Sequence, residues 1–212
     1  MDTLVINNST INKVVQDQIT PEIALQLLKE GNERFTNNYR LNRNFLDQVK
    51  TTSKGQFPYA VILSCIDSRM PTEIIFDQGI GDIFNVRIAG NIVNEDILGS
   101  IEFACKIAGA KLVVVMGHTG CGAVKGAYQG VELDHLTTLL KKIKPAVKHV
   151  EENDGHGDEK AQLQKVSLKN VELTTKEIIS RSRVIKDLHA QGEVNIVGAM
   201  YYVENGNVEF FD

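Results

Sequence analysis

The chain has only three cysteines, four prolines and no apolar run approaching a membrane span. An odd and small cysteine count gives no disulfide framework, so a reducing, cytoplasmic setting is expected. A helical span needs about 20 apolar residues in a row, so no membrane association is expected. Residues 1–8 carry neither a cationic nor an apolar segment, so no secretory signal is read there. Lys and Arg are scattered and the formal net charge is −4, which leaves no basic stripe for nucleic acid. No G-x-G-x-x-G follows the first predicted strand, and the glycine-containing stretch 117–122 lacks a Gly-Lys-Ser/Thr ending. Nucleotide binding through a phosphate loop is therefore excluded. No Cys-x-x-Cys is present, which argues against a dithiol redox centre.

What is present is enough apolar content, 42% of 212 residues, for one domain with a sizeable core. Thr20-Pro21-Glu22 reads as a helix start, with Thr as N-cap, Pro in the first turn and Glu near the positive dipole end. Ile23, Leu27, Leu28, Gly31 and Phe35 then share one helical face. Strands are predicted over 59–64, 82–88 and 111–117. Short loops and helices follow at 70–73, 94–105 and just past Cys121. Residues 135–150 read as helical with an interruption at Pro145, 151–158 as a solvated loop, and 159–190 as mostly helical. Residues 194–211 read as a strand and hairpin turning at Asn205-Gly206. Strands alternating with helices predict an α/β fold. The expected architecture is a single domain over 1–212, with a mainly parallel central sheet flanked by helices. An N-terminal helical arm and a C-terminal strand and hairpin complete it. Residues 1–19 are read as extended or flexible, ordered only against a partner subunit.

Two predicted strands end in chemistry. The first closes on Cys65-Ile66-Asp67-Ser68-Arg69, the third on His118-Thr119-Gly120-Cys121. Ligands in open α/β sheets sit at the carboxyl ends of parallel strands, so these residues are expected to share one crevice. Two thiolates and an imidazole suit a zinc ion with a fourth position open to chemistry. A helix starting past Cys121 is expected to lower its thiol pKa. Asp67 and Arg69 are spaced to pair through two hydrogen bonds. Paired, Asp67 stays ionised and accepts a hydrogen bond from a metal-bound hydroxide; unpaired, it serves as a fourth metal ligand. Cys105, mid-helix among apolar neighbours, reads as packing. His135, His149, His156 and His189 lack a partner motif.

At these residues the chain resembles the β-class carbonic anhydrases, in Cys-x-Asp-Ser-Arg at 65–69 and Gly-His-x-x-Cys-Gly at 117–122. The resemblance runs from about Thr20 to the C-terminal strand and is strongest over 54–126. It implies one Zn2+ per chain on Cys65, His118 and Cys121. It further implies a lyase that reversibly hydrates carbon dioxide to bicarbonate and a proton, with hydroxide on the zinc positioned by the Asp67–Arg69 dyad. Gln56, in a Gly-Gln-x-Pro context, would reach the substrate pocket of a neighbouring subunit, which implies a homodimer or higher even oligomer. Phe84, Ala89 and Phe103 would line the apolar pocket, with Gly90 beside them. The chain departs from the family where Arg87-Ile88 replaces Arg-Asn and where Phe103 replaces a tyrosine. It also has Ile62 where one subgroup has the tryptophan of an inhibitory bicarbonate pocket, so no such pocket is expected. The same residues on this scaffold would also suit hydrolysis of carbonyl sulfide or carbon disulfide, or a closed structural zinc. With two thiolates nearly cancelling the dication, the field on bound water is weaker than at a three-histidine site, whose water has a pKa of about 7. Activity rising above neutral pH is the expectation.

Overall fold

A computed structural model of the protein describes residues 9–153 and 157–211. The central runs 59–64 and 111–117 are apolar without alternation, the pattern of strands covered on both faces. They form β1 (Ala60–Ser64) and, with β2 (Ile83–Arg87) between them in sequence, β3 (Leu112–His118). β4 (Asn195–Tyr201) and β5 (Val208–Phe211) complete a sheet of order β2-β1-β3-β4-β5. The pairings β1–β2, β1–β3 and β3–β4 are parallel; β5 alone runs antiparallel, against β4.

The helices are α1 (Lys13–Gln18), α2 (Pro21–Thr36), α3 (Phe45–Thr52), α4 (Thr72–Ile75) and α5 (Glu95–Glu102), then α6 (Gly122–Tyr128) and α7 (Asp134–Lys141). α8 (Lys144–Asn153), α9 (Glu159–Arg181) and α10 (Arg183–Ala190) follow. Period-two alternation sorts the strands into two cores. Ile62, Leu112, Val114 and Met116 pack with Leu28 of α2 on one face, and Val61, Leu63, Val113 and Val115 pack with Ile101, Val171, Ile178 and Ile185 on the other. A third cluster, with Ile92, Val124, Ile143 and Val147, surrounds Cys65 and Cys121. No helix among the described residues is long and apolar enough to cross a membrane.

Several elements differ from the sequence reading. Within the expected flexible arm 1–19, residues 13–18 are a docked helix: Asn12 caps α1 by accepting from Val15 N at 3.0 Å, and Ile11, Gln16 and Ile19 are buried. Residues 1–8 lie outside the described residues. α3 has no counterpart in the sequence reading, because its buried face is a single glutamine, Gln48. The helix after Asn94 widens at Phe103, passing from α5 into a π turn over Phe103–Ile107. The break expected at Pro145 falls just before it, between α7 and α8, so the proline sits in a first turn, where its missing N–H costs nothing. α8 extends to Asn153, two residues beyond the expected start of a loop, whose residues 154–156, including His156, lie outside the described residues. Asn205-Gly206 is part of a longer turn than a two-residue hairpin, closed by Tyr202 N on Asn207 O and Gly206 N on Tyr202 O.

One buried carboxylate ties α2 and the segment before α3 to the turn after α4. Asp77, just past α4, receives Arg34 Nε at 2.6 Å, the Arg43 guanidinium and the Leu41 amide. Its side chain is 3% exposed and that of Arg43 only 7%. Removing the acid strands a buried guanidinium. Asp77→Ala is therefore expected to cost about 3–5 kcal/mol in urea-induced unfolding, whereas an exposed pair such as Lys13–Asp17 should cost under about 1 kcal/mol when broken.

Candidate metal centre

The parallel register builds the site. Ser64 of β1 lies opposite Arg87 of β2 and Met116 of β3. Cys65, one residue past Ser64, and His118, two past Met116, therefore emerge at the carboxyl ends of adjacent strands. The chain turns after His118 through Thr119-Gly120 and brings Cys121 to the N-cap of α6. All three side chains are buried: Cys65 is 4% exposed, Cys121 5% and His118 0%. Their donor atoms lie within 4.8 Å of one another, the two sulfurs 4.0 Å apart.

This set fits a zinc ion. Thiolates about 2.3 Å from a tetrahedral zinc subtend a sulfur–sulfur distance of about 3.8 Å, close to the 4.0 Å observed. His118 Nδ1 lies 3.0 Å from the Thr119 carbonyl oxygen. A carbonyl only accepts, so Nδ1 carries the proton and the lone pair sits on Nε2. That Nε2 is buried without a hydrogen-bond partner, an unmet need that a cation answers. Cys65 Sγ also accepts the Gly90 amide at 3.4 Å.

The two thiols titrate as a pair. Cys121 donates its S–H to Cys65, which pulls the Cys65 thiol well down and pushes the Cys121 thiol up, with burial adding to the latter. The expected effect of the helix start is present, since the α6 amides of Val124 and Ala123 lower the Cys121 thiol, while the contact with Cys65 and burial push it up. A cation would take the place of that proton.

Asp67 stands beside the donors. Its two oxygens accept from Arg69 Nε at 2.9 Å and Nη2 at 2.8 Å, and Oδ1 also accepts the Arg69 amide. Oδ2 is 3.9 Å from His118 Nε2. Of the two alternatives for Asp67, the structure thus has the paired one, with both oxygens engaged, and the carboxylate stands outside the cluster of three donors. The Arg69 guanidinium holds this carboxyl well below the usual carboxylate range, against the opposing effect of partial burial. A carboxyl lowered on folding stabilises the fold above its unfolded pKa of about 3.9 and loses that contribution only as pH falls through the folded value. The pair is therefore intact throughout the neutral range.

The remaining expected site residues divide. Gly90 is buried in the turn Ala89–Asn91 with φ +70°, and its amide donates to the sulfur of Cys65, one of the three candidate donors. Ala89, beside it, is half-buried. Phe84 and Phe103 meet edge to face, ring centroids 6.3 Å apart, in an open cleft between β2 and α5 that Arg87 also lines. Gln56 is exposed before the opposite end of β1. The five residues of β1 alone, at about 3.3 Å each, separate it from Cys65 by about 17 Å.

Two contributors were not read from the sequence as parts of the site. Arg87 donates from Nε to the Cys65 carbonyl at 3.0 Å and from Nη2 to the Asp67 carbonyl at 2.7 Å, clamping the loop that bears both. Asn170 of α9 donates to the Gly90 carbonyl at 2.8 Å. Neither has a local signal, since Asn170 is one of several polar residues, with Gln162, Ser167 and Thr174, on the buried face of α9.

Comparison with known proteins gives one answer. The family model described as carbonic anhydrase matches residues 60–208. Carbonic anhydrase 2 of Mycobacterium tuberculosis is 34% identical over 198 residues, covering 91% of this chain and 93% of that protein. The carbonic anhydrase of Mycolicibacterium smegmatis is 32% identical, covering 89% and 92%. Among solved structures, the β-carbonic anhydrase CcaA superposes with a TM-score of 0.74 at 26% identity, covering 89% of this chain and 95% of that one. A structure described as one of two tetrameric β-carbonic anhydrases from Sordaria macrospora superposes with a TM-score of 0.71 at 28% identity, covering 76% and 84%.

Gly90 gives the sharpest test of the donor geometry. A Cβ there would stand 2.5 Å from Ile143 Cδ1, on a backbone that L side chains rarely adopt. Gly90→Ala strains the turn and displaces the Ile143 side chain, and is expected to loosen the N–H contact with Cys65. Zinc affinity, read by competition with a chromophoric chelator, should fall about 10–100-fold.

Proposed function

Because the chain belongs to the β-class carbonic anhydrases, we propose that it hydrates carbon dioxide reversibly to bicarbonate and a proton, with a zinc ion held by Cys65, His118 and Cys121. The observation that carries this reading is the buried His118 Nε2, without a partner and within 4.8 Å of two thiols. Bound there, zinc supplies Lewis acidity that makes a coordinated water reactive near neutral pH.

The chain's own residues do the rest. Asp67, ionised and fixed by the Arg69 fork, accepts the proton side of the attacking water and leaves a lone pair facing carbon. Arg69 keeps Asp67 from swinging onto the metal, which would fill the open position. Arg87 holds both loop carbonyls, so the carboxylate and the Cys65 sulfur move as one unit. An apolar pocket suits a substrate without net dipole, and Phe84, Ala89 and Phe103 are the residues assigned to it. Gln56 donates one hydrogen bond to a substrate oxygen. Its distance from the metal donors of its own chain supports delivery from a neighbouring subunit, so the working form is a homodimer or a larger even assembly. A cytoplasmic location fits the three free cysteines.

Stopped-flow carbon dioxide hydration with metal analysis on the same sample tests this. About one zinc per chain and a faster rate at pH 8.5 than at pH 7 are expected, because two thiolates weaken the field on the water. Full zinc with no turnover at either pH would leave a closed structural site or a different hydrolase. Arg69→Ala should keep its zinc and lose about 10²-fold or more in kcat; a variant that lost its zinc instead would refute the role given to the pair.

A further inference from the structure

Gln16 of α1 is 1% exposed, and its single amide group joins two distant segments. Nε2 donates to the Pro58 carbonyl at 2.7 Å and to the Ala108 carbonyl at 2.8 Å. Oε1 accepts Lys13 Nζ at 3.3 Å. Pro58 lies two residues after Gln56. Ala108 caps the π turn that begins at Phe103, its N–H donating to the Phe103 carbonyl. Gly109, at φ +84°, makes room: a Cβ there would stand 3.1 Å from Oε1.

A primary amide has two N–H donors, and here both are used on backbone carbonyls that belong to no regular ladder. A carboxylate at this position would set acceptors against acceptors. A leucine would fill the same space and orphan both carbonyls, at a cost for each buried group. The rest of α1 is held independently, since Ile11 at 6% exposure and Ile19 at 2% pack into the core at either end. Gln16 is therefore not needed to seat the helix. The backbone bond from Lys111 N to Tyr59 O at 2.8 Å ties the starts of β3 and β1, and Gln16 adds a second tie further out, between the loop before β1 and the turn before β3.

We infer that Gln16 is a positioning residue for carbon dioxide hydration, a strap that fixes the Gln56 loop and the Phe103 turn relative to each other. The inference rests on the proposed function, since Gln56 and Phe103 are pocket residues only in that reading. Gln16 touches neither substrate nor metal. It acts through Gln56, so its loss should alter substrate capture and leave the metal and its water unchanged.

The test uses the full-length zinc enzyme with Gln16→Leu, Gln16→Asn (which keeps the donors but shortens their reach), Gln56→Ala and the double variant Gln16→Leu/Gln56→Ala. Gln16→Leu is expected to keep one zinc per chain and the wild-type pH midpoint, and to lose about tenfold in kcat/KM, since small misplacements of positioning groups cost up to about 10²-fold. Gln16→Asn should show the same pattern with a smaller loss. The double variant should be no worse than Gln56→Ala, as expected of residues acting through one another. Hydrogen exchange should quicken over 53–59 and 103–110 and stay unchanged over 112–121. Loss of zinc, a shifted pH midpoint, additive losses in the double variant, or a kcat/KM within about twofold of wild type for Gln16→Leu would each overturn the inference. If the fully zinc-loaded wild type hydrates no carbon dioxide, the functional reading fails instead, and the exchange pattern still decides whether the strap exists.

Discussion

The parallel register of β2, β1 and β3 is the constraint on which the rest of the molecule depends. It sets Arg87, Ser64 and Met116 in one row across the sheet, so the residues that follow leave the sheet at the same edge. A slip of one residue would turn each strand's side chains to the opposite face, sending Ile62 and Met116 into the wrong core and parting Cys65 from His118. The uninterrupted burial of β1 and β3 on both faces is therefore more than stability. It fixes three donor atoms to within 4.8 Å without any direct bond between the two loops that carry them, beyond the weak contact of the sulfurs.

Electrostatics then divides the labour at that edge. The sulfurs and the imidazole are buried and poor in partners, an arrangement that is costly unless a cation is present. Asp67 and Arg69, a few ångströms away, are saturated with hydrogen bonds to each other. The carboxylate is kept charged by its guanidinium and so does not compete for the proton that the two thiols share. Arg87 reinforces the separation by gripping carbonyls rather than carboxylates, leaving the loop's shape independent of its protonation. One arginine sets the charge of the site and another sets its geometry.

Most of this centre was legible in the sequence because it is local. Cys65, Asp67 and Arg69 lie in one five-residue loop, and His118 and Cys121 in one four-residue turn, each directly after an apolar run long enough to be read as a strand. The paired state of Asp67 followed from its spacing to Arg69. The illegible parts depend on which segments the fold brings together. Arg87 matters only because β2 lies beside β1. Asn170 matters because α9 crosses the turn at Gly90. Helix α1 was taken for flexible chain because its apolar anchors, Ile11 and Ile19, flank it rather than forming a stripe along it. At Cys121 the helix start was visible in the sequence, but the opposing contact with Cys65, 56 residues away, was not.

The two ends of β1 thus carry different obligations. At its carboxyl end, Cys65 must be held to fractions of an ångström by its neighbours, because coordination tolerates little error. At its amino end, Gln56 itself is exposed, three residues before the backbone bonds of Tyr59 N to Asp82 O and Lys111 N to Tyr59 O that tie the chain to its neighbours. The amide of Gln16 adds a tie one step further out, reaching across from a helix that comes before the entire α/β core in the chain. Precision at the candidate metal site comes from strand register, whereas precision at the far loop also draws on a side chain. That asymmetry explains why a helix seated by its flanking isoleucines also carries a glutamine buried to 1% exposure.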